Sequence, residues 1–132
     1  MSDDGGPSPS IAVESPLQDD IRILVAELNA TARDNGAAAA CGALKRHDGG
    51  IGEVKRMYTR PLHRGRKVGA MIVEGIEALA RAEGLKRLVL ETGDRYPAAW
   101  TVYERAGFIR CGPVLDYPES KWSVFYEKSL AD

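Results

Sequence analysis

Short apolar runs separated by turn residues fill the first half of the chain, and a long stretch of helical spacing opens the second. Ile11-Ala12-Val13-Glu14 predicts a short first strand. Over residues 16–29, Ile21, Leu24, Val25 and Leu28 recur at helical spacing, and Asp19 and Asp20 suit the positive N-terminal end of a helix. This segment therefore reads as a helix. Asn35-Gly36 marks a turn. Residues 37–44 stay open between two states: their alanines favour helix, and their place between turns favours strand. Asp48-Gly49-Gly50 marks a second turn, across which 38–45 and 51–60 can pair as antiparallel strands.

Pro61 stops the second of these strands. After a basic loop, Val68, Met71, Ile72, Ile76, Leu79 and Ala80 define one face of a helix that ends near Glu83-Gly84. Residues 85–90 read as a buried strand and 96–106 as a second helix, with Pro97 allowed in its first turn. Gly107 ends that helix, Phe108-Ile109 opens another strand, and Ser123-Val124-Phe125-Tyr126 forms the last. The succession strand–loop–helix–strand–helix from 51 to 106 implies a right-handed crossover and a parallel strand pair. With hairpin partners flanking it, the expected fold is an α/β (α+β) domain: a mixed sheet with helices on both faces.

Composition narrows the function classes. The 132 residues suit one domain. Residues 1–9, rich in Gly, Pro, Ser and Asp, read as a flexible tail, and 10–132 as the folded unit. Hydrophobic residues make up 44% and charged residues 28%, as in globular domains. A formal net charge of −1 gives no global attraction to nucleic acid or to an anionic membrane, so neither is expected as a partner. The longest uncharged, mostly apolar stretch, 37–44, is too short to span a bilayer. Met1-Ser2-Asp3-Asp4 is acidic and lacks the apolar segment of a secretory signal. Cys41 and Cys111 lie far apart without metal-ligand spacing and read as free thiols. The expectation is a cytoplasmic protein without a metal.

The chemistry concentrates in one loop. Lys55, Arg56, Arg60, His63, Arg64, Arg66 and Lys67 follow one another with no acidic residue among them. The next helix adds its positive end and its first N–H groups, and Gly65 and Gly69 allow close backbone approach. Such a cradle suits a pyrophosphate, although a solvated basic turn has the same composition. A Walker loop needs Gly-Lys-Ser/Thr, which Arg66-Lys67-Val68 does not supply. A dinucleotide fingerprint needs three glycines, and only Gly65 and Gly69 are present.

The run 54–61 followed by Arg64-Gly65-Arg66-Lys67-Val68-Gly69 resembles the acetyl-CoA signature of the GNAT acetyltransferase superfamily, Gln/Arg-x-x-Gly-x-Gly/Ala behind a strand that ends at an x-Pro step. Leu90-Glu91-Thr92-Gly93, the segment from Ala99 through Tyr103-Glu104-Arg105-Ala106-Gly107-Phe108, and Ser123-Val124-Phe125-Tyr126-Glu127-Lys128 match in family order, so the resemblance covers roughly residues 38–130. Lys67 stands where the signature has its first glycine. The expectation is an ordinary helical N-terminal conformation there, with the amide and the ammonium both serving a phosphate.

The resemblance implies a mostly antiparallel sheet with one splayed parallel pair, acetyl-CoA as cosubstrate, and direct attack of an amine on the thioester. It implies that Arg64, Gly65, Arg66, Lys67, Val68, Gly69 and Ala70 hold the pyrophosphate and that Met57, Tyr58 and Thr59 bind the pantetheine arm through their backbone. Tyr103 is the expected acid for the leaving thiolate, and Glu53 the expected base, with Glu91 as its rival. In a regular strand Glu53, Met57 and Thr59 share one face, a parity that a bulge would break. His63 reads as part of the loop's electrostatics, His47 as a turn residue and Cys111 as strand filling. A non-catalytic acyl-CoA-binding regulatory module and a phosphate-binding regulator are the alternatives. The amine acceptor is not legible. Only the helix expected at 16–29 precedes the first hairpin, where the superfamily has two, and a homodimer that buries apolar surface at 37–44 is expected to complete the acceptor side.

Overall fold

The computed structural model describes residues 9–14, 21–28, 38–60 and 67–131. Strands β1 (Pro9–Glu14), β2 (Ile21–Leu28), β3 (Ala38–His47) and β4 (Ile51–Thr59) lead into helix α1 (Val68–Ala82). Strand β5 (Arg87–Gly93), helix α2 (Pro97–Arg105), and strands β6 (Ile109–Cys111) and β7 (Ser123–Ser129) follow. The strands form one seven-stranded sheet in the order β1-β2-β3-β4-β5-β7-β6. Every neighbouring pair is antiparallel except β4 and β5. The expected mixed, mostly antiparallel sheet with one parallel pair is therefore present. Its first strand begins at Pro9, inside the expected tail, and the rest of that tail lies outside the described residues.

The helix expected at 16–29 is not found: Ile21–Leu28 is a strand, and the flanking positions lie outside the described residues. Ile21, Ile23 and Val25 are β-branched and stand on alternate positions, which suits a pleated surface better than a helix. Leu24 points the other way and is buried in the main core. A strand flanked by β1 and β3 carries apolar residues on both faces, and that pattern also satisfies helical spacing. Positions 15–20, which join β1 to β2, lie outside the described residues.

The alanine-rich segment left open resolves as β3, which packs under α1. Its small side chains let the helix approach. Ala39, Ala40, Ala43 and Leu44 are all buried, so among the described residues of this segment these four leave no exposed apolar surface. From the helix, Val68, Ile72, Val73, Ile76 and Ala80 enter the core, each burial of a large side chain contributing about 1.5–3 kcal/mol. The helix stops where Glu83 N–H returns to Leu79 O and Gly84 turns at φ 78°.

Both helices feed the same cluster, with Tyr103, Phe108, Leu88, Leu90, Val124 and Tyr126. Lys128 on β7 joins them, donating to Glu77 Oε1 on α1 and to Ala106 O at the end of α2, each at 2.7 Å. Helix cover was expected on both faces, but among the described residues it lies on one. The opposite face carries a smaller cluster, Val89, Val114 and Phe125, with Tyr117 packed against it from the β6–β7 connection.

Candidate active site

The parallel ladder between β4 and β5 has three rungs, Ile51↔Arg87, Gly52↔Leu88 and Glu53↔Val89, and ends there. Beyond Glu53, β4 stays registered with β3, and β5 stays registered with β7. The two strands therefore part, which is the expected splay. A bulge in β4 accompanies it: Tyr58 faces Cys41 and Lys55 faces Ala43, so Arg56 and Met57 together oppose Gly42, and Arg56 takes φ 56°.

The bulge overturns the expected shared face of Glu53, Met57 and Thr59. Met57 packs into the helix-side core, and a Cβ built on Gly69 of α1 would lie 3.5 Å from Thr59 Oγ1, so both side chains face α1. Glu53 precedes the extra residue and faces the other way, toward Tyr117. Tyr58, half-exposed, alternates with Met57 and Thr59 and faces away from α1.

Glu53 is the one buried charged residue in the described core, 3% exposed. His47 Nε2 and Glu53 Oε1 are hydrogen-bonded at 2.8 Å, and the Tyr117 hydroxyl donates to Oε2 at 2.5 Å. Lys55 Nζ lies 3.9 Å from Oε2. These partners offset the cost of burying a carboxylate. The bond to Glu53 is the first cause that pushes the Tyr117 phenol up to about 12, with burial and the charges of Glu53 and Glu91 adding to it. Glu91, the rival base, is exposed and accepts from Ser123 Oγ at 2.5 Å.

At the start of α1, the first intrahelical bond runs from Met71 N–H to Lys67 O, so the N–H groups of Val68, Gly69 and Ala70 precede it. Among the described residues no side chain caps this end, and no acid occupies the first turn. Lys67 does not take the ordinary conformation expected of it. It sits at φ 63°, ψ 19°, the left-handed region that a glycine would occupy without strain, at a cost of about 1–2 kcal/mol for a residue with a Cβ. Gly69 has an ordinary φ, and among the described residues an added Cβ would meet only Thr59 Oγ1, at an ordinary contact distance of 3.5 Å. Val68 is buried and packs in the main core. Arg64, Gly65, Arg66 and His63 lie outside the described residues.

Tyr103 is buried on α2, edge-on to Phe108 at 5.9 Å and tilted against Tyr126 at 6.0 Å. Burial pushes its phenol up to about 12. The sheet thus separates the two expected catalytic groups: Tyr103 lies on the helix face and Glu53 on the other, with the parting of β4 and β5 between them. Cys111 stands in β6 as expected, its thiol pushed up by burial and by Glu127 against the opposing pull of Arg87. Sequence reading missed Tyr117 altogether and took His47 for a turn residue. Tyr117 lies 64 residues from Glu53, and no local spacing connects them.

Among the described residues no cluster of His, Cys, Asp and Glu is set to hold a metal, and no helix is long and apolar enough to cross a membrane. The sequence profile of the Acetyltransferase (GNAT) family matches residues 5–108. An IAA acetyltransferase of Azospirillum brasilense is 36% identical over 152 residues, covering 94% of this chain and 99% of the relative. That stretch exceeds the 132 residues of the chain, so the relative carries internal residues that this chain lacks. A crystal structure from Klebsiella pneumoniae, described as an acyl-CoA N-acyltransferase, superposes with a TM-score of 0.82 at 27% identity, covering 92% of this chain and 97% of that one. The PaiA N-acetyltransferase of Thermoplasma acidophilum, solved in complex with coenzyme A, shares the fold with a TM-score of 0.69 at 18% identity, covering 83% of this chain and 61% of that one. The chain belongs to the GNAT family of acetyltransferases and is an acyl-CoA-dependent N-acetyltransferase.

Proposed function

We propose that the protein moves the acetyl group of acetyl-CoA directly to the amine of a small molecule or peptide, with the donor laid into the opening between β4 and β5. The end of the parallel ladder at Glu53↔Val89 carries this reading, because it opens a slot between two strands at the point where their chain leads toward the N-terminus of α1. Met57, Tyr58 and Thr59 line the β4 side of that slot for the pantetheine arm. The pyrophosphate falls to Arg64, Gly65, Arg66 and Lys67 with the first-turn amides of Val68, Gly69 and Ala70, where a helix end favours anions. The free thiols Cys41 and Cys111 suit a cytoplasmic setting.

The faces divide the chemistry. The amine approaches on the side of Glu53, which takes a proton from the nitrogen as that nitrogen bonds the thioester carbon. The carbon–sulfur bond breaks, and the departing thiolate takes a proton from Tyr103 on the helix side. A phenol held near 12 is fully protonated at neutral pH, the form a donor requires.

The test is release of free CoA thiol from acetyl-CoA across amino acids, polyamines, aminoglycosides and peptide N-termini, with IAA included because a relative bears its name. Amine-dependent release is expected, and Tyr103→Phe lowers turnover by about 10²-fold or more with the KM for acetyl-CoA unchanged. Wild-type turnover in that variant removes the acid role. Binding of acetyl-CoA without turnover on any acceptor contradicts the transfer reaction itself.

A further inference from the structure

A carboxylate beside an open slot has no reason to keep one orientation unless other groups hold it. Glu53 is the last rung of the β4–β5 ladder, and its two oxygens are held from two other elements, one across the β3–β4 hairpin and one from far along the chain. His47, the last residue of β3, takes Oε1; Tyr117, in the connection between β6 and β7, takes Oε2.

The β6–β7 connection is shaped to deliver that hydroxyl. Leu115 turns through φ 53°, and Tyr117 N–H returns to Val114 O at 3.1 Å, which folds the loop back over the sheet. The ring of Tyr117 then leans on Phe125 with centroids 6.1 Å apart, while Val114 is buried beneath the loop. The phenol, pushed up to about 12 first by its bond to Glu53, stays a donor throughout the working range. A carboxylate has about four acceptor sites, so these two bonds leave further ones, with Lys55 Nζ 3.9 Å from Oε2.

We propose that Tyr117 and His47 are positioning residues that fix the plane of the Glu53 carboxylate at the apex of the β4–β5 opening. This rests on the reading of Glu53 as the base. Both residues act through Glu53. The β6–β7 connection therefore does more than cover the sheet, since it carries one of the two hydrogen bonds that hold the base.

Four variants test the proposal in the thiol-release assay, with thermal unfolding as the check on the fold. Tyr117→Phe keeps the ring and its packing but removes the hydroxyl. His47→Gln removes the imidazole from the hairpin side and is an independent arm should the first variant fold poorly. Each is expected to lower kcat about tenfold, as a misplaced catalytic group does, with the KM for acetyl-CoA unchanged. Glu53→Gln is expected to lose more, and adding Tyr117→Phe to it is expected to cost nothing further. A large loss in Glu53→Gln with wild-type kcat in Tyr117→Phe and His47→Gln overturns the positioning role and leaves the base. An equal loss from Tyr117→Phe in the presence and absence of Glu53→Gln also overturns it, because the loop then acts independently of the carboxylate. Wild-type turnover in Glu53→Gln removes the base, and the positioning role with it.

Discussion

A Cβ placed on Gly42 would lie 2.5 Å from the sulfur of Met57 and 2.7 Å from Cγ2 of Ile72. The bulge of β4 and the absent side chain on β3 are therefore one feature: Met57 turns toward α1 because Gly42 leaves room for it. Gly42→Val is expected to destabilise the fold by about 1–3 kcal/mol through overpacking and to weaken acetyl-CoA binding as Met57 is displaced. Chemical denaturation and calorimetric titration read the two effects. A variant with unchanged stability and affinity shows that Met57 has another place to go.

Two positions at the N-terminal end of α1, the N-cap Lys67 and Gly69, set stability against binding. Lys67→Gly relieves a left-handed backbone at a residue with a Cβ, so the free protein gains about 1 kcal/mol. The loss of the ammonium makes acetyl-CoA binding weaker and less sensitive to salt. Gly69→Ala has room for its methyl group, with Thr59 Oγ1 at 3.5 Å, and raises helix stability by roughly 0.5–1 kcal/mol while weakening the cofactor. Unfolding in the absence of acetyl-CoA and titration with it separate the terms. Variants that gain stability and bind as the wild type does take the pyrophosphate away from this turn.

Glu77 ties α1 to β7 through Lys128 and also accepts from Arg81. Burial works to raise its carboxyl, but the hydrogen bonds of Lys128 and Arg81 and then their charges prevail, and its pKa lies below the ordinary 4.5. A depressed folded-state value stabilises above the unfolded value, and that contribution is lost as pH falls through the folded one. Glu77→Gln is therefore expected to be less stable than the wild type at neutral pH, by about 1 kcal/mol at most for a pair this exposed. The gap should close as pH drops below 4.5. A gap that is constant down to acid pH contradicts the assignment.

What the sequence discloses follows from the range of each interaction. Helix α1, strands β4 to β7 and the turn at 48–50 rest on local spacing, and they appear close to where that spacing puts them, β5 being displaced from 85–90 to Arg87–Gly93. Strand β2 does not, because Ile21, Ile23, Leu24 and Val25 satisfy either period and only pairing with β1 and β3 decides. The orientation of Glu53 relative to Met57 depends on a bulge at Arg56, a residue whose identity gives no sign of a positive φ. Lys67 shows the same limit, since its side chain argues for an ordinary backbone and the chain around it imposes another. Tyr117 reaches Glu53 only once the sheet has formed, whereas His47 lies six residues away across the hairpin turn. The family motif marked Tyr103 and the turn at 67–70, and the long-range partner of the buried carboxylate stayed hidden.

The placement of the acyl donor is open to one direct measurement that needs no knowledge of the acceptor: backbone amide shifts of the isotope-labelled protein during titration with acetyl-CoA. The changes are expected to concentrate at Met57, Tyr58 and Thr59, at Lys67 through Ala70, and around Tyr103. They are expected to weaken at high salt, where phosphate contacts are screened. Saturable binding whose shifts fall instead on the cleft of Arg110, Cys111, Ser120 and Ser123 would contradict that placement, as would no binding at all.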